Sequence, residues 1–285
     1  SKSEKKLNPI LLFANDERYL VVADNIAKYY LLNIENGNLI WMKNNLAPFN
    51  SQIKIYKDKF FTIDFSNTLR CFSLQNGKEL WNIRTENSLV RSQKKLSMAI
   101  IKDRLYFNNS IGDITAVDID RGEMIWQLPT QSSSMIETAF SLESSELVAD
   151  DKNIFFSNNK NQFFSIDIDT GSFNWKNKIN SNIRPVIIDN LIFSVSLEGY
   201  LIVIEKNTGN IIRISDIFSS FKTKKRSKIK PSGFLIGINK LYLTTSNGRL
   251  MVVDINSGRT KSILKIDNEK ISRPFVNQNN LFVIK

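Results

Sequence analysis

The chain has 285 residues, 42% of them hydrophobic and 11% aromatic, with a formal net charge of +11. That composition is ample for a buried globular core, and no run of eighteen apolar residues exists to form a membrane-crossing helix. The absence of histidine excludes Ser-His-Asp and Cys-His nucleophile pairs and histidine metal ligands, and the single Cys71 can build neither an internal disulfide nor a thiolate metal site.

In chain order, the apolar runs repeat one script: two short runs, a third that reaches an Asp/Asn-x-x-Gly turn, and a fourth that begins around a Trp. The first unit, residues 10–44, ends in LLNIENGNLIW, with Gly37 four residues before Trp41. The second, 53–84, carries CFSLQNGKELW with Gly77 and Trp81, and places Cys71 in a strand pattern where a small buried apolar residue is expected. The third, 98–128, reads SMAIIKD, RLYFNNSIGD, ITAVDIDRG, EMIWQLP, with Gly122 and Trp126. Val117 and Ile119 alternate with Asp118 and Asp120 there, which predicts half-buried strands.

Residues 129–147, PTQSSSMIETAFSLESSEL, exceed the usual length of a strand connection. Apolar Met135, Ile136 and Phe140 within them are candidates for partner contact or for packing on the scaffold. The fourth unit, 147–178, holds Gly171 and Trp175, and the fifth, 186–215, keeps Gly209 but has Arg213 at the Trp position. A second long connection, 215–233, concentrates Lys222, Lys224, Lys225, Arg226, Lys228 and Lys230 in nine residues. The sixth unit, 234–264, keeps Gly258 and puts Ser262 where the first four have Trp; 274–285 is a partial copy.

The turn glycines supply positive φ, and the Asp or Asn before them can bond its own backbone. That accounts for the Asp118/Asp120 and Asp167/Asp169 pairs, which lack the continuation of a calcium loop. Pro185, Pro231 and Pro274 are expected just before the first strand of their units, where no ladder N–H is lost. A rare, bulky residue locked to one phase of a unit of about 44 residues marks a repeat architecture. The expectation is a single all-β domain over 1–285, a β-propeller of four-stranded antiparallel blades in a seven- or eight-bladed ring. Residues 1–9 are too short and basic to supply the two strands the partial copy lacks. A missing piece or an imperfect closure is therefore expected, with residues lost from both termini.

The Gly-x-x-x-Trp phrase resembles the pyrroloquinoline quinone (PQQ) propeller repeat of quinoprotein dehydrogenases and of the BamB family of outer-membrane assembly factors, over nearly the whole chain. The resemblance implies that Trp41, Trp81, Trp126 and Trp175 dock between adjacent blades, and that the two Trp-less blades pack differently. A quinoprotein oxidoreductase is the alternative reading. Its vicinal disulfide or histidine base is not in this sequence, so no enzyme activity and no cofactor are expected. The BamB resemblance implies a periplasmic scaffold at the outer membrane, monomeric within a larger complex, binding the periplasmic domains of a BamA-like barrel assembly protein. An envelope propeller with another partner is the third reading. The basic run then steers an acidic protein or an anionic membrane surface; a nucleic-acid partner is disfavoured, because no recognition helix or RNA-binding signature accompanies it.

Overall fold

The computed structural model describes residues 9–85, 95–131 and 142–285. In six segments, 11–44, 54–84, 98–128, 148–177, 186–216 and 231–265, four strands pair in sequence order into an antiparallel sheet. Strands Phe275–Asn277 and Asn280–Phe282 form a seventh, two-stranded sheet. The fold is an all-β propeller. One proline is placed otherwise than expected. Pro231 does not precede its unit but is the first residue of strand Pro231–Gly237, opposite Thr245 and next to a register slip. A proline tolerates that position because its missing N–H lies at the start of the ladder.

The chain divides after Leu142 into two compact units, the first with sheets one to three and the second with sheets four to seven. In the first unit, Val21, Ala23 and Leu31 of sheet one pack with Phe60 and Phe72 of sheet two. Phe61, Ile63, Leu69 and Cys71 turn the other way, onto Met98, Leu105, Phe107 and Val117 of sheet three. The second unit repeats this, with Phe155 and Phe163 against Ile192, Ile202 and Ile204, then Phe193, Leu201 and Val203 against Phe234, Leu243 and Met251.

Neighbouring residues on a strand face opposite ways. The consecutive buried pairs Phe60/Phe61, Tyr106/Phe107 and Phe155/Phe156 therefore mean that the second strands are covered on both faces. Each such side chain contributes about 2–3 kcal/mol of apolar burial. The third strands of sheets three to five are covered too, which corrects the half-buried reading of the Val117/Asp118 alternation. In Ile114–Asp118 only the last residue is partly exposed, and Thr115 is buried with its neighbours. The alternation marks only the strand's exit into its turn. The fourth strands are the exposed edges, as in Leu39–Asn44.

The turn between third and fourth strands is built the same way in all six complete sheets. Each turn glycine has φ between +65° and +76° and donates its N–H to the carbonyl four residues earlier, as Gly122 does to Asp118 at 2.9 Å. The Asp118 carboxylate accepts the N–H groups of Asp120 and Arg121, and Asp167 those of Asp169 and Thr170. The ladder then slips by one residue, so that Leu31 faces Trp41 but Leu32 faces Leu39; the same slip recurs in the other five. A bulge of this kind re-aims the following side chain, and that side chain is the Trp.

Its target is the equivalent turn of the next sheet. Trp41 donates its indole N–H to the Leu74 carbonyl, Trp81 to Ile119 and Trp175 to Lys206, at 2.9–3.0 Å. The rings lie on the turn glycines. A Cβ on Gly122 would stand 2.6 Å from the Trp81 ring, and one on Gly209 2.6 Å from Trp175. The rings are half-buried, with one edge left to solvent. Arg213 performs the same job in sheet five, its guanidinium donating to the carbonyls of Ile255 and Asn256 in the turn of sheet six. At Arg213 the departure from the phrase is thus a change of residue and not of contact.

Candidate functional site

In a four-stranded antiparallel sheet with sequential order, the strand ends sort by connection. One end, the phrase end, carries the first-to-second and third-to-fourth turns, and so the Gly and Trp positions. The opposite end, the link end, carries the second-to-third turns and the connections to the next sheet. Both long connections of the sequence fall at link ends.

Of these, the candidate contacts Met135, Ile136 and Phe140 lie outside the described residues. The basic connection between sheets five and six is described throughout. It is held down along its length. Ile217, Phe218 and Ile229 are buried in the core of the second unit, and the Phe221 ring meets Phe218 edge-on at 5.3 Å. The Phe218 ring fills the space over Gly199, where an added Cβ would come within 2.2 Å of it. One helical turn, Thr223–Arg226, follows, with no acidic residue in its first turn and no side-chain cap. The exit is clamped by Lys230 and Ser246: the Lys230 N–H donates to the Ser246 hydroxyl at 2.9 Å, and the Ser246 N–H to the Lys230 carbonyl at 2.8 Å.

The six basic residues split into two roles. Arg226 is an anchor. Its guanidinium donates to Asp216 at 2.7 Å and to the Glu198 carbonyl at 3.2 Å, and lies 5.2 Å from the Tyr200 ring centroid. The hydrogen bond to Asp216 raises its pKa further above the ordinary value. Lys222, Lys224, Lys225, Lys228 and Lys230 are exposed, so five ammonium groups stand on a loop whose backbone is fixed. Fixed cations hold a field in one place, which mobile ones average away. The sequence could not separate Arg226 from its neighbours, because its partners come from the preceding strand and from the Glu198 turn.

A second cluster at the link ends of the second unit escaped the sequence reading. Arg184 and Arg273 each approach the carboxylate of Glu146, at 3.6 and 3.9 Å. The available signal was an Arg-Pro pair before the first strands of sheets five and seven. Among the described residues, no group of three or more Cys, Asp or Glu converges as a metal site. Asp118 and Asp167 spend their carboxylates on the turns, and Asp120 pairs with Lys59 at 2.5 Å.

A family model described as outer membrane protein assembly factor BamB matches residues 1–215. The outer membrane protein assembly factor BamB of Legionella pneumophila (strain Paris) is 22% identical over 216 residues, 72% of this chain and 51% of that protein. The chain thus spans about half the length of the curated relative it matches. Among solved structures, BamB from Moraxella catarrhalis superposes with a TM-score of 0.75 at 15% identity, covering 96% of this chain and 81% of that one. The computationally designed Ika8 protein gives 0.73 at 15% identity, covering 97% and 81%. Quinohemoprotein alcohol dehydrogenase from Comamonas testosteroni gives 0.71 at 12% identity, covering 95% and 63%. At these identities the structural likenesses establish the fold alone, and assembly factor, designed protein and dehydrogenase share it.

Proposed function

Because the chain belongs to the family of the outer membrane protein assembly factor BamB, we propose that it is a non-catalytic scaffold for the assembly of β-barrel proteins into the outer membrane. It works in the periplasm, as a monomer within a larger complex, and holds the periplasmic domains of a BamA-like partner against its link-end loops. The observation that carries the reading is the basic connection of sheets five and six. Buried Phe218 and Ile229 and the Arg226 clamp fix its backbone, while five lysines remain exposed. Such a surface steers an acidic partner and orients it, without contributing chemistry.

The test is binding of the purified chain to the periplasmic domains of the cognate BamA-like protein. Saturable binding at micromolar concentrations is expected, with an association rate that falls as salt rises. The triple substitution Lys224→Glu, Lys225→Glu, Lys228→Glu should slow association by roughly tenfold or more and flatten the salt dependence. No binding at micromolar concentrations would remove the partner from the reading, and an unchanged on-rate would remove the loop.

A further inference from the structure

Three cations of the second unit stand immediately before a proline, at or near the start of a first strand. They are Arg184 before Pro185, Lys230 before Pro231 and Arg273 before Pro274. A residue before proline is confined to extended backbone, so each cation leaves the chain in a restricted direction. Glu146 stands at the same threshold in sheet four, just ahead of strand Val148–Ala149.

Contacts bring part of this set together. The Arg273 side chain runs over Gly233, where a Cβ would come within 2.6 Å of its Cβ and 2.7 Å of its Cγ. Its Nε donates to the Phe234 carbonyl at 3.3 Å. The guanidinium is thus fixed by one nitrogen. Its Nη1 lies 3.9 Å from the Glu146 carboxylate, and Arg184 Nη1 lies 3.6 Å from the same oxygen. Both separations exceed a hydrogen bond, so the carboxylate balances one of the two charges without satisfying either fork. Burial, and then the nearby Arg184, press the Arg273 guanidinium below its ordinary pKa, against the pull of Glu146. The Ser232 hydroxyl, next to Gly233, is shielded from solvent and has no hydrogen-bond partner. The cluster is nevertheless open, since the side chains of Arg184, Glu146 and Arg273 keep 42%, 42% and 37% of their exposure.

From this geometry we infer that Arg184 and Arg273 form a binding site for a multiply charged oxyanion, a phosphate or polycarboxylate, with Glu146 as a built-in competitor. Two guanidinium forks suit such a ligand because each can give two parallel N–H bonds to its oxygens. Glu146 holds the two like charges together while the site is empty, and yields when an anion of higher charge enters. The inference stands independently of the scaffold reading, which uses the lysines of the basic connection.

The test is calorimetric titration of the full chain with inorganic phosphate and with citrate, at low ionic strength and with chloride as the control. Saturable 1:1 binding of at least one of them is expected. Arg184→Gln and Arg273→Gln should each weaken it by roughly tenfold or more, whereas Glu146→Gln should tighten it. The pair Lys224→Glu, Lys225→Glu should leave it within about twofold, because exposed rim charges act weakly at short range. If Arg273→Gln does not fold, Arg184→Gln and Glu146→Gln decide the matter, since their opposite signs cannot come from a loss of structure. Absence of saturable heat with either anion would overturn the site. So would a loss as large in the lysine pair as in the arginine variants, or weaker binding in Glu146→Gln.

Discussion

The two ends of the sheets obey different rules. At the phrase end the same turn and the same slip of register recur from Gly37 to Gly258, and Trp41, Trp81, Trp175 and Arg213 make the same reach to the next sheet. At the link end, among the described residues, the connections do not repeat, and the one between sheets five and six concentrates five exposed lysines on a packed backbone. Repetition serves stability, because successive sheets within each unit are joined by the same kind of contact. The non-repeating end is free to carry partners. Substitutions at the phrase end should therefore cost stability, and substitutions at the link end should cost binding.

The largest effect is expected at Trp81. Trp81→Ala removes ring packing on Gly122 and leaves the Ile119 carbonyl without its indole donor. A loss of about 3 kcal/mol is expected, read from the urea midpoint. Trp175→Arg should recover more of the stability lost in Trp175→Ala than a lysine does, because Arg213 shows that a guanidinium can reach the same carbonyls.

Two turn glycines separate backbone strain from ring contact. Gly37 and Gly122 share positive φ, at +70° and +71°, but an added Cβ meets nothing within 4 Å at Gly37 and the Trp81 ring at Gly122. Gly37→Ala should cost about 1 kcal/mol of backbone strain, and Gly122→Ala clearly more. Adding Trp81→Ala to Gly122→Ala should recover the excess. Equal costs at the two glycines would leave φ as the whole explanation.

Acid should act first at the phrase end. The Thr170 N–H foremost, with its hydroxyl and the Asp169 N–H, holds the Asp167 carboxyl below the usual carboxylate range, and Ser257 does the same for Asp254. Their folded pKa values lie below the unfolded ones, so their stabilisation is complete above the unfolded value of about 4. It is lost as pH falls from there through the folded values. Asp167→Asn with Asp254→Asn should flatten the fall of the urea midpoint below pH about 4. The smallest signal is chemical. Burial pushes the Cys71 thiol up to about 12, so a thiol reagent at pH about 8 should modify the chain only on unfolding.

Legibility in the sequence followed the same division. The blades were visible because Gly, Trp and Asp positions repeat locally, and their turn chemistry involves neighbours in the chain. Burial of the third strands of sheets three and four on both faces was hidden by Thr115 and Ser165, polar residues that are buried with their apolar neighbours. Arg213 looked like a loss of the Trp contact, because a carbonyl acceptor carries no sequence signature. Arg226 was one cation in a run until Asp216 and Glu198 fixed it, and Arg184, Arg273 and Glu146 meet only once their sheets are packed.

If the proposed scaffold role holds, partners meet the link end and not the phrase end. Two triple variants with the same change in net charge test it by association kinetics with the periplasmic domains of the BamA-like partner. One is Lys224→Glu, Lys225→Glu, Lys228→Glu; the other places Lys78→Glu, Arg259→Glu and Lys261→Glu beside phrase-end turns, where all three residues are exposed. The first should slow association by roughly tenfold or more and the second by less than about threefold. Equal slowing by both would mean that only net charge matters, and would contradict a link-end partner surface.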